Sequence, residues 1–97
     1  MRILMLAQFY AETKKQVIPG RPIAIIAPHA GYIYSGPIAA SAYAQLALAR
    51  DLVKRVVLFG PSHYVALDGL AAPSAAAFAT PLGIVPVDAE ALREIRS

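Results

Sequence analysis

Two short apolar runs on either side of a helical pattern most constrain the fold of this 97-residue chain. Residues 22–27 form the first run, and residues 55–59, which are rich in β-branched and aromatic side chains, form the second. Such runs are typical of strands that are buried on both faces of a parallel sheet. The sequence therefore predicts a right-handed strand–helix–strand unit that spans about 40 residues.

The intervening helix is predicted to begin at Pro37, because proline suits the first turn and either Ser35 or Gly36 can cap it. The predicted fold class is α/β, with a mainly parallel sheet and flanking helices. Such a sheet needs helices on both of its faces, and this chain offers few of them. We therefore expect residues 1–97 to form a single partial domain that is apparently truncated.

The last third of the chain carries weaker patterns. Residues 69–72 and 83–87 are predicted to form short strands, with a turn around residues 80–83 between them. Asp88 has the position and the carboxylate to cap a last helix. The residues of this helix that are expected to face inward are Leu92 and Ile95.

Composition excludes several classes of function. The net charge of +3 comes from nine scattered Lys and Arg residues that form no basic stripe, so we expect no nucleic-acid partner. No apolar run approaches the roughly 20 residues of a membrane span, and no glycine-rich phosphate loop indicates a nucleotide cofactor. The chain has no cysteine, which excludes disulfides and thiolate ligands and favours the cytoplasm.

The only two histidines, His29 and His63, each lie just beyond one of the apolar runs. The carboxyl ends of neighbouring parallel strands meet at one edge of a sheet, where open α/β folds bind ligands. A neutral imidazole keeps a lone pair on one ring nitrogen and is the commonest metal ligand. We predict that both histidines ligate one metal ion, with rings roughly 3 to 7 Å apart. The alternative is that each histidine is satisfied by backbone hydrogen bonds.

Three polar residues beside the histidines are candidates for substrate binding. Tyr32 and Tyr64 can stack on a ligand or donate a hydrogen bond to it, and Ser62 can contribute a hydroxyl. Ser62 lacks the Gly-x-Ser-x-Gly context of a serine nucleophile, so no catalytic residue is identified. Core packing is the favoured role for Tyr34.

Several motifs resemble the Memo family, whose bacterial and archaeal members are known as AmmeMemoRadiSam system protein B. The motifs lie within about residues 22–88, in the same order as in the family. Residues 7–11 also resemble the opening motif of the family, from which Gln8 and Ala11 depart. The motifs are residues 26–37, which include Pro28-His29-Ala30-Gly31-Tyr32, residues 40–43, residues 58–63, which include Gly60-Pro61-Ser62-His63, residues 80–83, and residues 87–88.

The resemblance implies a fold similar to the LigB-type class III extradiol dioxygenases, with a metal pocket at the edge of the sheet. His29 and His63 match the two family histidines in that pocket, which is thought to bind iron or copper. The resemblance also suggests a functional link to a radical SAM protein. The reaction of the family is undefined. Family members are about three times as long, and their further pocket histidine has no counterpart here.

Three interpretations follow for function. A site for Fe(II) oxygen chemistry needs two histidines and a carboxylate. The sequence identifies two histidines but no definite third ligand for Fe(II) or Cu(II). We therefore expect a Memo-like metal-binding protein that has no oxidative activity by itself. The alternatives are a non-catalytic module that binds a small molecule or peptide, and an inactive truncated fragment that depends on a homo-oligomer or a partner.

Overall fold

The computed structural model describes residues 7–11 and 18–96 and divides the chain into two compact units, Met1–Gly60 and Pro61–Ser97. The helices and strands confirm an α/β composition, and none of the helices in the described ranges is long and apolar enough to cross a membrane. The elements of the first unit are helical residues 7–11, the central helix Tyr32–Tyr43 and the 3₁₀ helix Ala44–Ala49. Those of the second unit are strand β1 (Ala77–Thr80), strand β2 (Gly83–Pro86) and the terminal helix Ala89–Arg96.

The central helix begins earlier than the sequence predicts, which places Pro37 inside it. Its N-cap is Gly31, and the carbonyl oxygen of Gly31 accepts hydrogen bonds from the backbone N–H groups of Tyr34 and Ser35 at 2.9 and 3.1 Å. The predicted capping role of Ser35 or Gly36 is therefore wrong. The hydrogen bonds to the Gly31 carbonyl form a first turn ahead of Pro37, and the helix tolerates the absence of the hydrogen bond that Pro37, which has no N–H, cannot donate to the preceding turn.

Among the described residues of the first unit, the buried side chains are small. Ala40 and Ala49 are buried, and so is Ser35, whose hydroxyl donates a hydrogen bond of 2.8 Å to the carbonyl oxygen of Ala30. Gly36 is also buried, and a Cβ atom added there would overlap the ring of Phe9. The absence of a side chain at Gly36 thus lets the amino-terminal helical segment approach the central helix closely.

The predicted parallel sheet is not formed by the described residues. The structure assigns neither residues 22–27 nor residues 55–59 to a strand, and the sheet that it describes has two antiparallel strands elsewhere. Ile23 and Ile26 are 103% and 98% exposed, so the first run lacks the burial that its composition predicts. A parallel strand is stabilised by neighbours on both edges and helices on both faces, and local sequence cannot replace them.

A tight hairpin turn joins β1 and β2. The strands pair with Ala77 opposite Pro86 and Thr80 opposite Gly83. The Thr80 hydroxyl donates to the Gly83 carbonyl oxygen at 2.8 Å and accepts the Leu82 N–H at 3.2 Å. Gly83 has a φ of 136°, a backbone conformation that L side chains rarely adopt. The predicted turn is confirmed.

The strand predictions around this turn are half right. The strand predicted at residues 83–87 is confirmed, because β2 covers Gly83–Pro86. The strand predicted at residues 69–72 is wrong, and β1 at Ala77–Thr80 pairs with β2 instead. A two-residue loop fixes which residues can pair, so β1 has to end directly before the turn despite its alanine-rich sequence.

Asp88 caps the terminal helix as predicted. Its carboxylate accepts the backbone N–H of Ala91 at 3.0 Å, and its carbonyl oxygen accepts the N–H of Leu92 at 3.1 Å. Leu92 is half-buried, which agrees with the prediction for that residue, whereas Ile95 is 62% exposed, so its predicted inward position is wrong.

We expect Asp88→Ala to destabilise the terminal helix by about 1 kcal/mol, because the N–H of Ala91 loses its acceptor. Hydrogen exchange of the helix amides measures the change. Asp68→Ala is the matched control, since Asp68 lies in an exposed loop outside any helix. Equal protection of the helix in both variants would contradict a capping role.

Candidate functional site

The His29 loop is held against the start of the central helix. His29 is exposed, and the next two residues, Ala30 and Gly31, supply carbonyl oxygens to the first turn. The Ala30 carbonyl accepts the Ser35 hydroxyl, and the Gly31 carbonyl accepts two backbone N–H groups. The backbone that carries His29 is therefore fixed on its carboxyl side, while its imidazole stays accessible.

Tyr32 opens the central helix and interacts electrostatically with Tyr10, which interacts in the same way with Tyr43. Partial burial raises the pKa of the Tyr10 phenol above its usual value of 10.0, and the phenols of Tyr43 and Tyr32 raise it further. Ionised phenols at these positions would repel one another. Tyr10 and Tyr43 are residues that sequence reasoning missed as neighbours of the candidate site, although both lie in motifs that resemble the family.

The raised pKa of Tyr10 predicts a loss of stability at alkaline pH. A folded-state pKa above the unfolded one stabilises the fold fully below about pH 10, and this contribution disappears as the pH rises through the folded pKa. Tyr10→Phe should therefore reduce the loss of unfolding free energy between about pH 9 and pH 11. Urea unfolding at both pH values measures it. Tyr64→Phe, which removes a fully exposed phenol, is the control, and an unchanged alkaline loss in Tyr10→Phe would contradict the cause assigned here.

The His63 loop contains its own short turn. The Ser62 hydroxyl donates a hydrogen bond of 2.6 Å to the carbonyl oxygen of Val65, so it stabilises the turn that presents His63. His63 is exposed, and Tyr64 is 100% exposed. The hydroxyl oxygen of Ser62 keeps lone pairs that can still accept a hydrogen bond from a ligand.

Of the candidate residues, His29 and Tyr32 belong to the first compact unit, and Ser62, His63 and Tyr64 belong to the second. Within the described ranges, no group of three or more His, Cys, Asp or Glu side chains is arranged to hold a metal ion. Two imidazoles suit Fe(II), Cu(II) or Zn(II) chemically, but a stable site needs at least one ligand more. The described donors thus fit part of a metal site and do not complete one.

Two small clefts lie elsewhere in the first unit, with volumes of about 100 and 210 Å³. Neither is lined by a candidate site residue. The residues shared by both clefts are Gly20, Arg21, Pro22 and Gln45.

Comparison with known protein families shows which family this chain belongs to. Residues 3–97 match the family described as Memo-like protein, which is almost the whole sequence. The chain belongs to the Memo-like family. Both candidate histidines and all three candidate substrate-binding residues lie within the matched region.

Two relatives from animals and one from an archaeon illustrate the similarity. The chain is 44% identical to the "Protein memo-1 homolog" of Caenorhabditis elegans over 80% of its own length and 22% of the relative. It is 42% identical to a "MEMO1 family protein" of Nitrosopumilus maritimus over 73% of its own length and 25% of the relative. It is 44% identical to "Protein MEMO1" of Xenopus laevis over 88% of its own length and 27% of the relative. The chain therefore spans about a quarter of the length of these curated relatives, and no solved structure matches it significantly.

Proposed function

We propose that this Memo-like chain supplies His29 and His63 as two ligands of a divalent transition-metal site. The observation that carries the proposal is that the family match covers both histidine motifs of the chain. Support also comes from their accessibility, since His29 and His63 are both exposed on loops whose backbones are fixed by local hydrogen bonds. An exposed imidazole on a loop of fixed backbone is accessible to a metal ion.

The proposed metal is Fe(II) or Cu(II), both of which accept imidazole nitrogen. When bound, such a metal would supply Lewis-acid or redox chemistry of the kind that extradiol dioxygenases use, which the fold of the family is proposed to resemble. The reaction itself stays undefined, because two imidazoles leave the ligand set incomplete. Tyr32, Ser62 and Tyr64 are proposed to contact a small-molecule or peptide ligand beside the metal, through ring faces and hydroxyl groups.

The complete family fold is proposed to contain the predicted parallel sheet. In that fold, residues 22–27 and 55–59 become neighbouring strands, and His29 and His63 follow their carboxyl ends. The remaining three quarters of a relative's length would supply the further strands, the covering helices and a third metal ligand. The absence of cysteine favours action in the cytoplasm, and the resemblance favours a functional partnership with a radical SAM protein.

Copper binding to the whole chain tests the ligand assignment. Electron paramagnetic resonance of the Cu(II)-loaded chain should show hyperfine coupling to two imidazole nitrogens. Labelling histidine with nitrogen-15 should change that coupling pattern. A spectrum that is unaffected by the label would assign the copper to the amino terminus or to carboxylates and would overturn the proposal.

A further inference from the structure

The buried serine of the central helix connects that helix to the His29 loop. Ser35 is 8% exposed, and its hydroxyl donates a hydrogen bond of 2.8 Å to the carbonyl oxygen of Ala30, which directly follows His29. A serine hydroxyl within a helix commonly bonds the carbonyl three or four residues earlier. The acceptor here lies five residues earlier and outside the helix, so this bond links the helix to the loop.

The backbone hydrogen bonds of the first turn reach the loop at Gly31. Gly31 is the N-cap, and its carbonyl oxygen accepts the N–H groups of Tyr34 and Ser35. Glycine has no side chain, and the start of the helix has no side-chain cap hydrogen bond. The Ser35 hydroxyl reaches one residue further, to the peptide carbonyl next to His29. This contact therefore extends the order of the helix toward the candidate ligand.

Burial distinguishes this bond from its counterpart in the other histidine loop. There the Ser62 hydroxyl donates to the Val65 carbonyl oxygen at 2.6 Å, but Ser62 is exposed. Water replaces an exposed hydrogen bond at little cost, whereas a buried hydroxyl that loses its acceptor meets little water to replace it. Movement of the His29 loop away from the helix therefore costs more than the loss of an exposed hydrogen bond.

We propose that Ser35 is a positioning residue for His29, whose loop it holds in the conformation that presents the imidazole to a metal ion. Ser35 itself supplies no ligand. This role rests on the proposed function for what His29 binds, and on the hydrogen bond to Ala30 for how the loop is held. Without the hydroxyl the loop samples other conformations, and only a fraction of the molecules is competent to bind. The apparent dissociation constant is the intrinsic one divided by that fraction.

Three variants of the central helix test the role through copper affinity. Ser35→Ala removes the hydroxyl and Ser35→Thr keeps one. Ser41→Ala is the matched control, because the Ser41 hydroxyl donates to the Pro37 carbonyl oxygen at 3.1 Å inside the same helix and does not reach the loop. We expect Ser35→Ala to raise the dissociation constant for Cu(II) by about three- to tenfold, as the loss of one ordinary hydrogen bond does. The other two variants should stay within about twofold of the wild type.

A readout on the metal-free chain separates positioning from a general loss of structure. Nuclear magnetic resonance of Ser35→Ala should show shifted His29 resonances and a lower order parameter for the Ala30 amide, with unchanged His63 resonances. Ser41→Ala should leave His29 unchanged, and far-ultraviolet circular dichroism should show equal helix content in all variants. Loss of the helix in Ser35→Ala would mean that the hydroxyl holds the helix and not the loop, which would overturn the proposal.

The positioning role and the metal site fail in distinguishable ways. A wild-type chain that binds no Cu(II) would refute the metal site, while the metal-free resonances of His29 would still decide whether Ser35 holds the loop. Copper bound through two imidazoles, with the affinity or the His29 resonances unchanged in Ser35→Ala, would refute the positioning role alone. Ser35→Thr that binds no better than Ser35→Ala, or Ser41→Ala that weakens binding equally, would refute it as well.

Discussion

Replacing His29 or His63 by alanine is expected to remove most of the affinity of the chain for divalent transition metals. Each variant leaves one of the two proposed imidazole ligands, and one exposed imidazole holds a metal ion only weakly. We expect the dissociation constant to rise by about tenfold or more for each single variant, and specific binding to disappear in the double variant. Calorimetric titration and metal content after chelation and reloading measure these changes.

The control for this series keeps both imidazoles. Tyr64→Ala removes the fully exposed ring next to His63 and should leave the stoichiometry of metal binding unchanged. An unchanged stoichiometry in the double histidine variant would mean that the metal binds elsewhere or adventitiously. Loss of binding with His29→Ala but not with His63→Ala would contradict a shared site and leave only the first histidine as a ligand.

Local hydrogen bonds explain which elements the sequence predicts. Asp88 caps the terminal helix through an amide three residues away, and Thr80 closes the hairpin through Gly83 and Leu82. These contacts depend on residue types within a few positions of one another, so a single sequence contains the information. The turn and the cap were both predictable for that reason.

Distant partners explain what the sequence does not predict. The runs at 22–27 and 55–59 have the composition of buried strands, but a strand forms only where a neighbour offers hydrogen bonds and where helices cover its faces. The described residues do not supply those partners. The start of the central helix is an exception, because local hydrogen bonds to the carbonyl oxygens of Ala30 and Gly31 begin it ahead of Pro37 and the hydrophobic pattern gives no sign of them.

Some features of the candidate site could be predicted from the sequence, and others could not. His29, Ser62 and His63 were identifiable from their positions beside glycine and proline, since such loops commonly carry binding residues. The bond from Ser62 to the Val65 carbonyl is local, yet periodicity contains no sign of it. The link between Tyr10 and Tyr43 joins segments far apart in sequence, and only folding brings the two phenols into electrostatic contact.

Gly36→Val should destabilise the first unit by about 1 to 3 kcal/mol, as overpacked sites do. Helix propensity alone predicts the opposite sign, because valine is slightly better than glycine inside a helix. The clash decides the outcome, since a Cβ atom at position 36 would overlap the ring of Phe9. Urea unfolding measures the change, and Gly60→Val is the control, because nothing lies within 4 Å of the corresponding Cβ position there.

A double-mutant cycle with Phe9→Ala shows whether the ring causes the cost. Phe9→Ala alone should also destabilise the unit, because it removes a half-buried ring that packs on Gly36. In the Phe9→Ala background the valine occupies the vacated space, so the cost of Gly36→Val should fall well below its value in the wild type. Equal costs in both backgrounds would contradict the contact. A reduced cost would show that the Phe9 ring of the amino-terminal helical segment packs on the central helix at Gly36, in the first turns after the His29 loop.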